Sequence, residues 1–379
     1  LEQILTRGPH SRELFEALLA AKELLTGVAR KPTDEPSGED LVVKILLDPG
    51  QPLPVHSWAL YTVRPDHPEL KTGVLKSFLG RDKSQSLKTP ALQTLGMRSD
   101  RESQTLLREF AADTEEKDHW RALAIYGLAQ SAADSAETQK FLLDVLRTQS
   151  DALGWAAIRS LRGAARSPEL RMAVVEWWER NRQSQDFRGS RIDLEEELLL
   201  TLRSNAADQP STRIPEPIAA AADRRPKDLE GWKAELAQPG DELGGQFAFF
   251  HPRGPQCATC HRVNGRGGSV GPDLSTIGRT LDREKLVRSI LEPSKDIAPQ
   301  YATWLVATRD GRLLTGVILR EDPRGTITLG DAQGKTVEIP VADIEDRRVQ
   351  PQSIMPDTLI DQMTRQEFRY LVEFLSELK

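Results

Sequence analysis

Cys257-Ala258-Thr259-Cys260-His261 is the stretch from which the rest of the chain is read. Two cysteines three apart, with a histidine directly after the second, match what covalent haem attachment needs: each thiol adds to a haem vinyl group, and the adjacent imidazole is held under the iron as an axial ligand. No other cysteine exists among the 379 residues, and that count weakens the competing readings. A structural zinc site wants a second Cys/His pair at ligand spacing, whereas His251 is the nearest other histidine and the rest lie at His119 or earlier. A thioredoxin-like redox pair wants a strand before it and a helix opening at the first cysteine, yet Pro252-Arg253-Gly254-Pro255 precedes the motif.

Working outward, Asp241 to Phe250 reads as a helix whose aromatic residues cover a haem edge or fill ordinary core. Gly265 to Val270 after the motif reads as a flexible loop, followed by Gly271-Pro272-Asp273-Leu274. A proline here fixes a carbonyl able to accept the Nδ1–H of His261, which leaves Nε2 for iron and sets the ring plane. Leu281 to Leu291 forms a helix stopped by Pro293. The second axial ligand is expected downstream, where Met355 and Met363 are the methionines after the motif. Met355 sits in the proline-bracketed Pro351-Gln352-Ser353-Ile354-Met355-Pro356 and is the expected ligand, with His251 as the fallback; Met363 is better explained as core. Thr364-Arg365-Gln366-Glu367 is a capping box that opens a last helix with Phe368, Leu371, Val372, Leu375 and Leu378 on one face. Between the two haem segments the pattern changes to period two, at Tyr301 to Thr308, Leu313 to Leu319, Thr326 to Leu329 and Thr336 to Ile339. A small antiparallel β subdomain over about 301–350 is therefore expected, acting as a lid over one haem edge or as a docking face.

Residues 1–204 read as helix after helix, with a repeat of Ala-x-x-x-Leu/Val at Ala59/Val63, Ala91/Leu95, Ala124/Leu128 and Ala157/Leu161, at intervals of 32, 33 and 33 residues. A small residue one turn from a branched one is what stacked helix pairs require, and the segment resembles a short HEAT-like solenoid with residues 1–30 as a cap. Such a surface serves as a spacer or docks a protein partner. Trp58, Trp120, Trp155, Trp177 and Trp178 read as core, and His56, His67 and His119 as satisfied or surface residues with no ligand-type neighbour at helical spacing. From Asn205 to Glu230 the Ala, Asp, Pro and Arg composition reads as a linker, so the haem domain is expected over 231–379.

With 38% hydrophobic and 28% charged residues the composition is that of an ordinary soluble protein, and no apolar run approaches a membrane span. A net charge of -6 argues against general nucleic-acid binding. From His251 to Ile290 seven Lys/Arg oppose three acids, a local +4 that reads as a steering rim for an acidic redox partner or as a solvated helix face. Leu1 opens without a basic leader, and because this haem chemistry belongs outside the bacterial cytoplasm, an extracytoplasmic or periplasmic protein lacking its export signal is expected.

Cys257 to His261, Gly271 to Leu274, Leu286 to Pro293 with Ser294-Lys295-Asp296-Ile297, Ser353-Ile354-Met355-Pro356 and the terminal helix together resemble the planctomycete-type cytochrome c haem-binding domain, in order over residues 240–379. That resemblance implies a mainly α fold: a HEAT-like α-solenoid followed by a class I cytochrome c-like helical domain with an inserted β subdomain. It implies one haem c on Cys257 and Cys260, axial ligation by His261 and Met355, and Pro272 and Leu274 within the haem site. The family often carries a sugar-dehydrogenase-like propeller, which is missing here, so dehydrogenase activity belongs outside this chain. The expected role is a one-electron carrier between a dehydrogenase and a respiratory acceptor. Two alternatives stay open: a haem enzyme or gas sensor with a displaceable axial site, and a scaffold in which the repeats do the work.

Overall fold

The computed structural model describes residues 14–15, 17–18, 39–148, 151–182, 191–203, 214–323 and 325–379. The chain is mainly helical with a small antiparallel sheet. Among the described residues no helix is long and apolar enough to cross a membrane. The chain divides into two compact units between Arg225 and Pro226, inside the stretch whose composition suggests a linker.

The first unit is built from α1 (Glu39–Leu47), α2 (Leu53–Thr62), α3 (Thr72–Ser77), α4 (Gln85–Gly96), α5 (Arg101–Ala112), α6 (Asp118–Gly127), α7 (Ala136–Thr148), α8 (Asp151–Ser160), α9 (Pro168–Asn181), α10 (Arg191–Arg203) and the short α11 (Glu216–Ala219). Even-numbered helices stack in succession, α2 on α4, α4 on α6, α6 on α8 and α8 on α10. The repeat residues explain this stacking. Ala59, Ala91, Ala124 and Ala157 are all 0% exposed, and Val63, Leu95, Leu128 and Leu161 at most 1%, so each small residue admits the neighbouring helix while its branched partner fills the gap. Gly96 and Gly127 mark a close backbone approach: a Cβ on either would stand 2.8 Å from the Cα of the other.

Hydroxyl groups stitch the same stack. The Thr94 hydroxyl lies 2.7 Å from the Pro90 carbonyl of its own helix and 3.3 Å from the Leu60 carbonyl of the helix before it. Ser160 repeats the arrangement with Ala156 at 2.9 Å and Ile125 at 2.8 Å, and Thr201 reaches the Ile158 carbonyl at 3.3 Å. Pro90 lies inside α4 and lacks the N–H that Ser86 would otherwise receive; the Ser57 hydroxyl of α2 donates to that freed carbonyl at 2.8 Å. Glu197 of α10 is fully buried between Arg159 (3.0 Å) and Arg162 (2.5 Å). Trp120, Trp177 and Trp178 are core, as expected, while Trp58 and Trp155 are half-buried. His56 is satisfied by the carbonyls of Ile45 and Asp48.

One expectation is corrected here. Residues 214–230 are not an open linker: α11 and a 3₁₀ turn at Ala220–Arg224 follow Pro215, and Ile218 and Ala221 are completely buried. Prolines in the first turn of a helix remove N–H groups that have no intrahelical partner anyway, so Pro215 and Pro217 start a helix here. Of the expected cap over 1–30, only residues 14–15 and 17–18 are described, with Phe15 and Leu18 buried; the rest, and residues 204–213, lie outside the described residues.

The second unit contains α12 (Leu229–Glu235), α13 (Glu242–Phe250), α14 (Cys257–Cys260), the strands β1 (Arg262–Val263) and β2 (Arg266–Gly267), then α15 (Ile277–Thr280) and α16 (Arg283–Leu291). Next come β3 (Thr303–Thr308), β4 (Leu313–Asp322), β5 (Thr326–Gly330), β6 (Thr336–Pro340) and β7 (Ile344–Gln350), and last α17 (Arg365–Glu377). The capping box that opens α17 is present in both directions, between Thr364 and Glu367. Helix α17 packs on α13, α15 and α16 around Phe249, Leu286, Val287, Met363, Phe368, Leu371 and Phe374, with Trp232 edge-on to Phe368 at 5.2 Å. Met363 is 0% exposed, which assigns it to the core.

The five long strands form one antiparallel sheet in the order β6-β5-β4-β3-β7. Strand β7 is one more than the four that period-two runs mark, because its central residues are exposed and charged at an edge position. The stretch read as a flexible loop is also ordered: β1 and β2 pair as a hairpin whose corner residues, Asn264 (φ 52°) and Gly265 (φ 82°), are both left-handed. Asn-Gly is the residue pair such a tight turn favours.

Candidate functional site

The motif begins where Gln256 turns left-handed (φ 54°) and one helical turn, Cys257 to Cys260, follows. A helix does open at the first cysteine, but it is only four residues long and among the described residues no strand precedes it, so the thioredoxin arrangement is not formed. At i and i+3 the two cysteines are neighbours on the helix surface. Both are free thiols and half-buried. Burial pushes the Cys257 thiol up to about 12; burial, with the Asp331 carboxylate adding to it, pushes Cys260 up as well. Thiols held protonated in this way lack the lowered pKa of a nucleophilic or redox-active pair.

His261 leaves the helical turn in extended backbone, and its amide donates to the Cys257 carbonyl at 2.9 Å. Its Nδ1 lies 3.0 Å from the Pro272 carbonyl. A carbonyl only accepts, so Nδ1 carries the proton and Nε2 keeps its lone pair. Burial pulls the pKa of His261 down, against the opposing effect of the Pro272 bond, and keeps the ring neutral, the form that binds metal. Gly271 forms the seat of the ring: a Cβ there would stand 2.7 Å from Cε1 and 2.8 Å from Nδ1. Three backbone bonds of 2.8 Å hold the loop to the motif, from Gly268 to Ala258, Gly271 to Cys260 and Leu274 to Arg262. The Asn264 amide donates to the Ser275 hydroxyl at 2.7 Å, anchoring the hairpin corner.

Cys257, Ala258, Leu274 and Met355 are half-buried around one core, together with Phe250, Ile277, Leu281, Leu291 and Ile360. The structure thus brings Met355 and Leu274 to the same core margin as the motif, about 100 residues apart in sequence for Met355 and Cys257. The methionine loop is itself tied down. Met355 donates its amide to the Ser353 hydroxyl at 3.1 Å, and Ser353 donates to the Ser294 hydroxyl beyond α16 at 3.0 Å. His251 uses Nδ1 to accept from the Arg253 amide at 3.1 Å and closes a local turn.

No family profile matches the chain, and no curated protein does. Among the described residues no three His, Cys, Asp or Glu side chains come together as a metal site, so a zinc centre has no ligand set here. The residues do fit a haem. Two adjacent thiols can take its vinyl groups, a neutral imidazole has one nitrogen fixed and the other available, and apolar side chains stand half-covered around the motif. Arg262, next to His261, has its Nε buried without a hydrogen-bond partner, a donor suited to a carboxylate.

Several of the basic side chains near the motif are paired or buried. Arg283 pairs with Glu373 at 2.7 Å, Arg288 with Glu284 at 3.2 Å and Lys285 with Asp282 at 3.7 Å, and Arg266 is buried. Asp282 and Glu284 are already counted in the local +4, so of these partners Glu373 alone lowers it, to +3. Sequence reasoning gave no role to Gly271 or to the turn between β5 and β6; Gly334 in that turn abuts Thr259 inside the motif.

Proposed function

We propose that the chain is a monohaem c-type cytochrome module, a one-electron carrier joined to a HEAT-like helical-repeat scaffold. The observation that carries the reading is the seat of His261: Nδ1 fixed on the Pro272 carbonyl at 3.0 Å, the ring against Gly271, and two free thiols one helical turn away. When bound, haem c supplies a one-electron iron couple. Cys257 and Cys260 would hold it covalently, His261 would ligate the iron through Nε2, and Met355 would offer a thioether ligand. The half-buried apolar residues around the motif would exclude water from the ring, and Arg262 would face its anionic carboxyl groups. If His261 and Met355 both held the iron, no position would be left on it for substrate, which would favour a carrier over an enzyme or gas sensor.

Support for the scaffold comes from the successive stacking of α2, α4, α6, α8 and α10 at a period near 33 residues, and from hydroxyl-to-carbonyl bonds at repeat-equivalent positions. An extracytoplasmic location and a redox protein partner follow from the same reading. The deciding experiment is expression with a bacterial haem-ligation system and an export signal. Haem that stays on the chain after denaturation, and is lost when Cys257 and Cys260 are changed to alanine, supports the reading. A chain that emerges from such cells without covalent haem refutes it.

A further inference from the structure

We propose that Asp331, in the turn between β5 and β6, is a positioning residue that places a fixed negative charge beside the haem attachment segment and holds the reduction potential of the module down. This rests on the haem reading above and assigns the inserted β subdomain a tuning role in place of a passive lid.

The turn is built by Asp331 itself. Its Oδ1 accepts the amides of Gln333 at 2.9 Å and Lys335 at 2.8 Å, while its backbone N–H donates to the Lys335 carbonyl at 2.8 Å and its carbonyl accepts from Gly334 at 3.1 Å. This compact loop is laid directly on the motif. Gly334 has φ +74°, and a Cβ there would stand 2.6 Å from the Thr259 carbonyl oxygen and 2.9 Å from its methyl group. One strand-end away, a Cβ on Gly330 would meet Val270 at 2.8 Å, and Val270 is 0% exposed. The two contacts flank Cys260 and His261 in sequence, so the end of β5 and the turn after it clamp the segment that carries the second thiol and the imidazole.

The charge on Asp331 is not cancelled. No Lys, Arg or His forms an ion pair with it among the described residues, and it is half-buried, whereas Lys335 in the same turn is exposed. Asp331 lies between Gly330, which abuts Val270, and Gly334, which abuts Thr259, so its carboxylate belongs to the turn laid on the attachment segment. A negative charge fixed beside a haem stabilises the oxidised iron over the reduced one, because oxidation adds a positive charge. Partial burial limits screening by salt.

The test is potentiometric titration of the full haem-loaded chain with Asp331→Asn, which keeps the turn's acceptor oxygen and removes only the charge. Asp331→Ser serves as a second neutral variant should the first fold poorly, and Lys335→Gln as the exposed control. The expected result is a rise in potential for both Asp331 variants that persists at high salt, with covalent haem and absorption spectrum retained, and a smaller, salt-erased change for Lys335→Gln. Potentials of the neutral variants equal to that of the parent overturn the proposal while leaving the haem reading intact. A parent chain that carries no covalent haem sinks both, and is seen by mass before any titration.

Discussion

Substituting Gly271 by alanine tests the seat of His261 most directly. The new Cβ would stand 2.7 Å from Cε1, 2.8 Å from Nδ1 and 3.2 Å from Nε2 of the imidazole. Ordinary carbon contacts sit near 3.5–4.0 Å, so the ring has to retreat by about 1 Å. It cannot do so freely, because Nδ1 is held at 3.0 Å by the carbonyl of Pro272, the very next residue. Two costs add. Overpacking a fitted site costs about 1–3 kcal/mol, and giving up a neutral hydrogen bond about 1 kcal/mol, for a total of roughly 2–4 kcal/mol. For a unit of about 150 residues that is a fall in melting temperature of roughly 4–16 °C. Chemical and thermal denaturation of the full chain without haem measure it. In the loaded protein the same substitution is expected to shift the low-spin spectrum, since the ring plane is set by the bond that is lost. Unchanged melting together with an unchanged spectrum would refute the claim that Gly271 and Pro272 fix the ring.

Three further outcomes are expected. Met355→Ala keeps covalent haem, abolishes the weak near-infrared band of the oxidised protein, lowers the potential and lets the reduced iron bind carbon monoxide; an unaltered spectrum removes Met355 as a ligand. Glu197→Ala leaves the buried guanidinium groups of Arg159 and Arg162 without their carboxylate and destabilises the first unit by about 3–5 kcal/mol in urea unfolding, whereas Arg81→Ala, which breaks an exposed pair with Asp113, leaves the midpoint in place. Ser160→Ala and Thr94→Val each cost about 1 kcal/mol, and the double variant costs the sum to within about 0.5 kcal/mol, since the two joints share no partner; strong non-additivity would contradict separate joints.

What could be read in advance was whatever is encoded locally or at a fixed period. The capping box at Thr364 and Glu367 needs residues three apart, and the stacking alanines announce themselves by recurrence at positions 59, 91, 124 and 157. Pro272 as the acceptor for His261 follows from the chemistry of an imidazole that must present one chosen nitrogen, and the geometry agrees. The Asn264-Gly265 corner was legible but hidden by the glycine-rich residues after it, which read as slack although backbone bonds to the motif pin them. Strand β7 carries Arg347 and Arg348 on exposed positions, so its sequence shows no hydrophobic alternation; pairing with β3 alone makes it a strand. The short helices after Pro215 were obscured because prolines signal breaks as often as starts. Contact between Gly334 and Thr259, 75 residues apart, has no sequence signature, since only the folded sheet brings that turn to the motif.

The stitched helices of the first unit also bear on how that unit assembles. Its cross-helix hydroxyl bonds close loops of 34, 35 and 43 residues, each joining one helix only to the one before it in the stack. Short closures of equal kind carry nearly equal entropic costs, so no single long-distance meeting has to occur before order can spread. Assembly can start at any joint and travel along the array in either direction, and a weakened joint divides the array into segments that melt at separate temperatures.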